Sequence, residues 1–293
     1  VAIPERVDAS IDTVRRQFER RAARFAGHDA IVRETERRLA ERLAILRHPV
    51  RRLLDLGCGS GASRAMLRER FPDAQWIGMD ASPAMLRGGR APPGRLRRLL
   101  GRADDSGRVC ASAERLPLPD ASVDFVFSNL MLHWHPAPHE AIREMARVLR
   151  AGGLVQFSSY GPDTLQELRA ACAQALPAAA PMPFVDMHDL GDMLVAAGFE
   201  APVMEAEILT LTYADPRRLL AEARALGGNP RAARARGLPS GRQARALVQA
   251  LAAGAQAGGR LALRFEIVVG HGWKAAPRLP GVATVAMPAS RRG

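Results

Sequence analysis

The run from Leu53 to Gly61, Leu-Leu-Asp-Leu-Gly-Cys-Gly-Ser-Gly, restricts this chain more than any other stretch. Its apolar positions read as the end of a buried parallel strand. Asp55 sits two residues before the first glycine, and Gly57, Gly59 and Gly61 then force a tight turn into a helix over roughly Ser60 to Arg70. Glycines are required there because the backbone takes conformations closed to residues with a Cβ and must approach a ligand closely. The helix points its free N–H groups back at the same spot, where a carboxylate or phosphate is held. The stretch reads as a cofactor-binding turn, with a glycine-rich surface turn as its rival.

The spacing separates two kinds of nucleotide cofactor. A dinucleotide fingerprint runs G-x-G-x-x-G, whereas these glycines fall as G-x-G-x-G behind an acid. Gln75 to Met79 reads as the next strand, and Asp80 closes it 25 residues after Asp55. An acid at that position can accept from both ribose hydroxyls. The pattern resembles motif I of the class I S-adenosylmethionine (SAM) methyltransferases.

Along the chain, Val7 to Phe25 and Ala30 to Leu46 carry apolar residues at helical spacing, and His48-Pro49 stops the second helix. Strands are expected over Arg51–Leu56, Gln75–Asp80, Arg108–Ala111, Val123–Ser128 and Leu154–Ser158, with helices between them. Such alternation predicts a doubly wound, right-handed parallel sheet. Gly88 to Gly107 reads as a mobile Arg/Pro/Gly-rich insertion, and Leu176 to Pro183 as a loop. Helices are predicted over Asp163–Ala175 and Met187–Ala197. Two late strands, Val203–Tyr213 and Leu261–Val269, flank an arginine-studded helical insertion, about residues 214–258. The expected division is an N-terminal helical cap over 1–48, a main domain over 49–273, and a disordered tail over 274–293.

Apolar residues make up 47 % of the 293, and no apolar run approaches the ~20 residues of a membrane helix. Three cysteines, Cys58, Cys110 and Cys172, without a C-x-x-C pair point to neither a disulfide framework nor a zinc site. Glu5, Asp8 and Asp12 argue against a leader, and a cytoplasmic location is expected. The net charge is +12, and Lys274 is the only lysine. An excess of this size implies an acidic partner, for which nucleic acid, an anionic membrane and an acidic protein all qualify.

Further segments narrow the likeness: Leu116-Pro117-Leu118-Pro119-Asp120 through Asp124, Asn129 to Trp134, Gly161 to Arg169, and the opening Phe18 to Phe25. Together they resemble the malonyl-[acyl-carrier protein] O-methyltransferases of the biotin pathway, over roughly residues 10 to 273. Mitochondrial complex I assembly factors of the same superfamily share the Leu-His-Trp and Asp-Thr-Leu-x-Glu-Leu-Arg elements and form the second reading. The resemblance implies a Rossmann-like α/β class I fold, a mostly parallel sheet with an antiparallel late strand. It implies SAM as cofactor and malonyl-acyl carrier protein as the acidic partner. Asp55 would then orient the methionine end above the Gly57, Gly59 and Gly61 backbone, and Asp80 would hold the ribose. Met85 would pack on the adenine, bordered by Ala113, and Asn129 and Leu130 would line the methyl-donor channel. The chain departs from the family pattern at Ser112, where an Asp is common, and at Phe25, where a hydroxylated aromatic is common.

Methylating a carboxylate needs alignment and a dry site rather than a general base, because the nucleophile is already ionised at neutral pH. Phe18, Phe25, Trp134, Phe157 and Tyr160 are candidates for apolar cover. For the malonyl carboxylate the candidates are His133, Tyr160 and Arg169, a guanidinium offering a two-pronged match. Arg169 reads equally as an exposed helix residue beside Gln166. His133, His135 and His139 read as solvated loop histidines, and no metal site is expected. A base-methylating enzyme would show an Asn/Asp-Pro-Pro-aromatic run where this chain has Ser128 to Met131, so an RNA substrate and a non-catalytic binding module rank lower. Arg217, Arg218, Arg224, Arg231, Arg234, Arg236, Arg242 and Arg245 crowd the insertion, and arginines also fill Arg87 to Arg102. These basic segments are the expected docking surface for the carrier.

Overall fold

The computed structural model describes residues 10–25, 29–88, 107–176, 182–226, 240–256 and 258–276. Arg231, Arg234, Arg236, nearly all of the Gly88–Gly107 insertion, most of the 176–183 loop and the tail past residue 276 lie outside them.

Seven strands form one sheet in the order β3-β2-β1-β4-β5-β7-β6. They are β1 (Arg52–Leu56), β2 (Gln75–Asp80), β3 (Arg108–Cys110), β4 (Val123–Ser128), β5 (Leu149–Tyr160), β6 (Phe199–Tyr213) and β7 (Leu261–Lys274). Strands β1 to β5 pair in parallel, and β7 runs antiparallel to both β5 and β6. The order reverses between β1 and β4, and ligands bind outside the carboxyl ends at such a switch point. The late strands are longer than their apolar cores suggest, because β7 pairs along nearly its whole length with β5 and β6.

Helices cover both faces of the sheet. On one side lie α2 (Ala30–Ile45), α3 (Arg64–Arg70), α6 (Gln166–Ala175), α8 (Pro216–Leu226) and α9 (Gly241–Ala253), while α1 (Ile11–Phe25) packs against α8. The other core is built on α5 (Pro138–Val148) and α7 (Met187–Ala196), while the short α4 (Pro83–Arg87) follows β2. Alternate residues of β4 serve the two cores: Phe125 and Phe127 the first, Val126 the second. Helix α2 buries Ile31, Thr35, Leu39 and Leu43 as an i, i+4 stripe, each leucine contributing about 1.5–3 kcal/mol. Among the described residues no helix is long and apolar enough to cross a membrane.

Two helices start later than expected. Residues 60–63 form a turn closed by Gly61 N–H to Cys58 O (2.7 Å), so α3 begins at Arg64. Helix α6 begins at Gln166 because Leu165, at φ 62°, stands in the left-handed region and breaks the helix there.

Asp124 fastens the entry of the sheet. Its carboxylate accepts from the N–H groups of Arg51 and Arg52, both at 2.9 Å, and from Arg150 at 2.5 Å. Burial pushes its pKa up, but these donors outweigh burial and hold it below the usual carboxylate range. Asp124→Ala should therefore cost about 2 kcal/mol at neutral pH, read as a lower unfolding midpoint in urea. A depressed folded-state pKa gives stability that is complete above the unfolded value of ~3.9 and lost as pH falls through the folded value. The gap between wild type and variant should accordingly shrink on acidification below about pH 4; a gap independent of pH would mean the carboxylate charge contributes nothing.

Candidate active site

The glycine turn owes its shape to backbone that only glycine adopts readily. Gly57, Gly59 and Gly61 have φ of +77°, +53° and +82°. A Cβ on Gly57 would stand 2.5 Å from the Met131 side chain, and one on Gly59 3.2 Å from Met85 Cε. The N–H groups of Gly57 and Cys58 both donate to Met79 O, at 2.7 and 3.0 Å, which pins the turn to β2. Asp80 at the end of β2 accepts from Gly59 N–H (3.0 Å) through one oxygen and from Ser82 N–H (2.8 Å) through the other. Ser82 then caps α4 by accepting from Met85 N–H, with Pro83 in the first turn as the sequence predicts.

A cavity of ≈ 140 Å³ lies against this turn. It brings together Asp55, Gly57, Gly59, Asp80, Met85, Ala113, Asn129 and Leu130, and with them His133 and Tyr160. Gly61, Ser112 and Arg169 are not in its wall. Ser112 adjoins it through Ala113, with a buried Oγ that has no partner among the described residues. A Cβ on Gly61 would meet Arg108, whose guanidinium donates to Ser60 O (2.8 Å) and Leu86 O (2.6 Å) and so ties the turn to α4. Asn129 is engaged in building the wall. Its Oδ1 accepts from Ser158 Oγ (2.8 Å), its Nδ2 donates to Val32 O (3.1 Å), and Leu130 N–H donates to Ser158 Oγ (2.9 Å).

The two acids face burial differently. Asp55 is pushed up to about 7, chiefly by burial; Trp76 Nε1–H, 3.3 Å away, opposes the rise, and the negative charges of Glu36 and Asp80 add to it. Asp80 is also raised by burial, against the two N–H groups it accepts from.

Two of the three histidines, His133 and His135, are not solvated, contrary to the reading from sequence. Leu132–Trp134 forms a 3-10 turn that carries His133 and His135 inward, to 6 % and 3 % exposure. His133 stacks on Tyr160 with centroids 4.2 Å apart and is pushed down to about 3 by burial, so it stays neutral. Its Nδ1 faces Tyr160 N–H at 3.4 Å, which leaves the proton on Nε2, a buried atom with no partner among the described residues. His135 accepts from Ala137 N–H through Nδ1 and turns Nε2 toward Glu114, 3.4 Å away. Trp134 meets Phe18 of α1 edge-on at 5.3 Å, and Phe18 and Phe25 line the cavity beside it. Phe157 lies fully buried in the core below.

Arg169 is neither exposed, as a solvated helix residue would be, nor part of the cavity wall. Its guanidinium is half-buried, donating to Thr164 O (3.2 Å) and Met182 O (3.1 Å) and lying 5.7 Å from the Phe184 ring. Phe184 in turn packs edge-on against His133 and Tyr160, each at 5.6 Å. Arg169 therefore braces the aromatic wall from behind. Sequence reasoning missed Arg15, a cationic side chain in the cavity wall. Its signal was present in the helical spacing of Ile11, Val14, Arg15 and Phe18, all on one face of α1.

Residues 54–157 match the methyltransferase domain family. The chain is 44 % identical over 269 residues to the malonyl-[acyl-carrier protein] O-methyltransferase of Laribacter hongkongensis, covering 90 % of each protein. The chain belongs to the malonyl-[acyl-carrier protein] O-methyltransferase family. A second member, from a Methylovorus species, is 40 % identical over 91 % of this chain and 90 % of its own length. Among solved structures, the YcgJ protein of Bacillus subtilis shares the fold with a TM-score of 0.57 at 17 % identity, over 84 % of this chain and all of that one. As a member of this family the protein is a SAM-dependent methyltransferase. Its residues fit that cofactor: a cradle that a Cβ would fill, a buried carboxylate at Asp55 and a part-buried one at Asp80, and a Ser112 Oγ without a partner among the described residues, next to Ala113 of the wall.

Gly57→Ala places a Cβ inside Met131 and in a left-handed backbone, a cost of roughly 1–2 kcal/mol from the backbone alone. The variant should unfold several degrees lower, and the rise in melting temperature on adding SAM should largely vanish. An unchanged SAM-induced rise would show that the cradle does not hold the cofactor.

Proposed function

We propose that the protein transfers the SAM methyl group to the free carboxylate of a malonyl thioester on acyl carrier protein, giving the methyl ester early in biotin synthesis. The observation that carries this is 44 % identity to a malonyl-[acyl-carrier protein] O-methyltransferase across nine-tenths of both proteins. Asp55 would receive the cofactor's ammonium, Asp80 its ribose, and the Gly57–Gly61 backbone would run beneath it. Met85, Ala113 and Ser112 would enclose the adenine, and Asn129 with Leu130 would form the wall beside the methyl group. When bound, SAM supplies a methyl group on a positively charged sulfur.

The remaining work falls to the chain's own side chains. No base is needed, and neither central polar group is suited to being one: burial holds His133 down to about 3 with its unprotonated Nδ1 facing Tyr160 N–H, and burial keeps the Tyr160 phenol protonated. Both are hydrogen-bond donors. A neutral donor can hold one carboxylate oxygen and leave the other free to attack. A cationic clamp on both oxygens would stabilise the charged substrate more than the charge-neutralising transition state. The position of Arg169 behind Phe184, outside the cavity wall, agrees with that. Phe18, Phe25 and Trp134 exclude water, which favours a step in which opposite charges disappear.

Incubation with labelled SAM and malonyl-acyl carrier protein should yield an alkali-labile methyl ester, and succinyl or acetyl carriers little or none. Labelling of RNA, or none of any thioester, would overturn the assignment. A second outcome concerns pH. Because Asp55 must be ionised to hold an ammonium, kcat/KM for SAM should fall below about pH 7, approaching tenfold per pH unit. The value of kcat at saturating SAM should stay flat over the same range, since no general base titrates. Asp55→Asn should bind SAM weakly and without this pH dependence; a bell-shaped kcat profile would restore a catalytic base.

A further inference from the structure

We infer that α8 and α9 form the platform on which the acidic carrier docks as its thioester arm enters the cavity. This rests on the carrier being the substrate, and three observations locate it. The first is position. Leu226, the last residue of α8, lines the cavity, and α8 packs against α1, which contributes Ile11, Val14 and Arg15 to the same wall. Arg15 is 45 % exposed while lining the cavity, so the cavity opens beside α1, next to α8. Helix α9 packs alongside α8.

The second observation is orientation. Helix α8 turns Leu219, Leu220, Ala223 and Leu226 inward, which leaves Arg217, Arg218 and Arg224 exposed. Helix α9 buries Leu247 and Leu251 and exposes Arg242 and Arg245. Glu222 is the one acid in the two helices.

The third is pairing. On α2 the arginines are neutralised within the chain: Arg37 by Glu34 and Glu41, Arg38 by Glu34 and Glu207, and Arg42 by Glu205. Among the described residues none of the five exposed arginines of α8 and α9 stands in an ion pair. Exposed arginines without an ion pair also occur elsewhere among the described residues, Arg68 and Arg143 for example, so position next to α1 and Leu226 is what distinguishes these five. The fold gathers uncompensated positive charge beside the cavity opening, and an acidic protein that delivers a tethered substrate is the partner that needs charge there. Such charge steers association and is screened beyond ~8 Å at physiological ionic strength.

The experiment compares two substrates, malonyl-acyl carrier protein and the malonyl thioester of N-acetylcysteamine, which has an uncharged arm. The enzymes are wild type, the triple reversal R217E/R218E/R224E, the double reversal R242E/R245E, and R68E on the exposed face of α3 as control. For the reversed enzymes kcat/KM on the carrier should fall by about tenfold or more at low salt, while the small thioester, SAM affinity and unfolding temperature stay as in wild type. Raising salt should slow wild type on the carrier and erase most of its advantage over the variants. If a reversal fails to fold, the Arg→Gln versions should show a smaller loss of the same selectivity. Equal losses on both substrates, equal losses in R68E, or an undiminished rate on the carrier would each show that this face is not the docking surface. If wild type methylated neither thioester, the substrate assignment itself would fall and the docking inference with it. RNA methylation abolished by the same reversals would assign the surface to nucleic acid and overturn the carrier.

Discussion

The N–H groups of Gly59 and Ser82 converge on opposite oxygens of Asp80, and most of the site depends on that convergence. One bond holds the glycine turn after β1, and the other holds the start of α4 after β2. With Met79 O receiving Gly57 and Cys58, the two loops become a single rim across adjacent parallel strands. Left-handed glycines make the close approach possible, since a Cβ at Gly57 would overlap Met131 from the neighbouring strand's loop. Helix α2 braces the rim from outside the sheet: Glu36 accepts from Ser63 Oγ at 2.8 Å, and Val32 O accepts from Asn129 Nδ2. The N-terminal helices thus touch both loops that frame the cavity.

The half of the sheet that carries the glycine turn was legible in the sequence because its signals are local. A strand, an acid, three glycines and a second acid lie within one short stretch, and the cavity brings Asp55, Gly57, Gly59, Asp80 and Met85 together in its wall. The later half was read less well because its decisive contacts are distant in sequence. Solvated histidines were a fair reading of a Trp- and Pro-rich loop, yet a 3-10 turn buries two of them against Tyr160 and Glu114. Arg169 has the helical neighbours of a surface residue, and only the return of the chain at Met182 and Phe184 encloses it. Arg15 shares a face of α1 with Ile11, Val14 and Phe18 by spacing, but spacing alone does not say that this face lines a cavity. The lengths of β6 and β7 follow from mutual pairing, which alternation within a strand does not encode.

Burial shapes the chemistry as much as residue identity does. A histidine beside a reacting carboxylate suggests a base or a cation, but burial holds His133 neutral, with Nδ1 facing Tyr160 N–H and the Nε2 proton left to donate. The same absence of solvent raises Asp55 to about 7, so the group suited to a cationic cofactor is half charged at neutral pH and fully charged only well above it. A methyl transfer that removes charge is served by such surroundings, provided that each charge present is matched by its ligand.

Strand β5 joins the two halves of the molecule. On one side it pairs in parallel with β4, whose end bears Asn129 and Leu130; on the other it pairs antiparallel with β7. Tyr160, its last residue, stands opposite Ile267 and packs its ring 5.6 Å from Phe265 while touching His133. Helix α6 follows directly and packs on α9, so the arginine-bearing helices are linked to the aromatic wall through one helix and one strand. A partner seated on α8 and α9 would therefore press on elements that already position Tyr160 and Leu226. Delivery of the substrate and shaping of the pocket that receives it would then depend on the same packing, with the glycine rim held independently by β1 and β2.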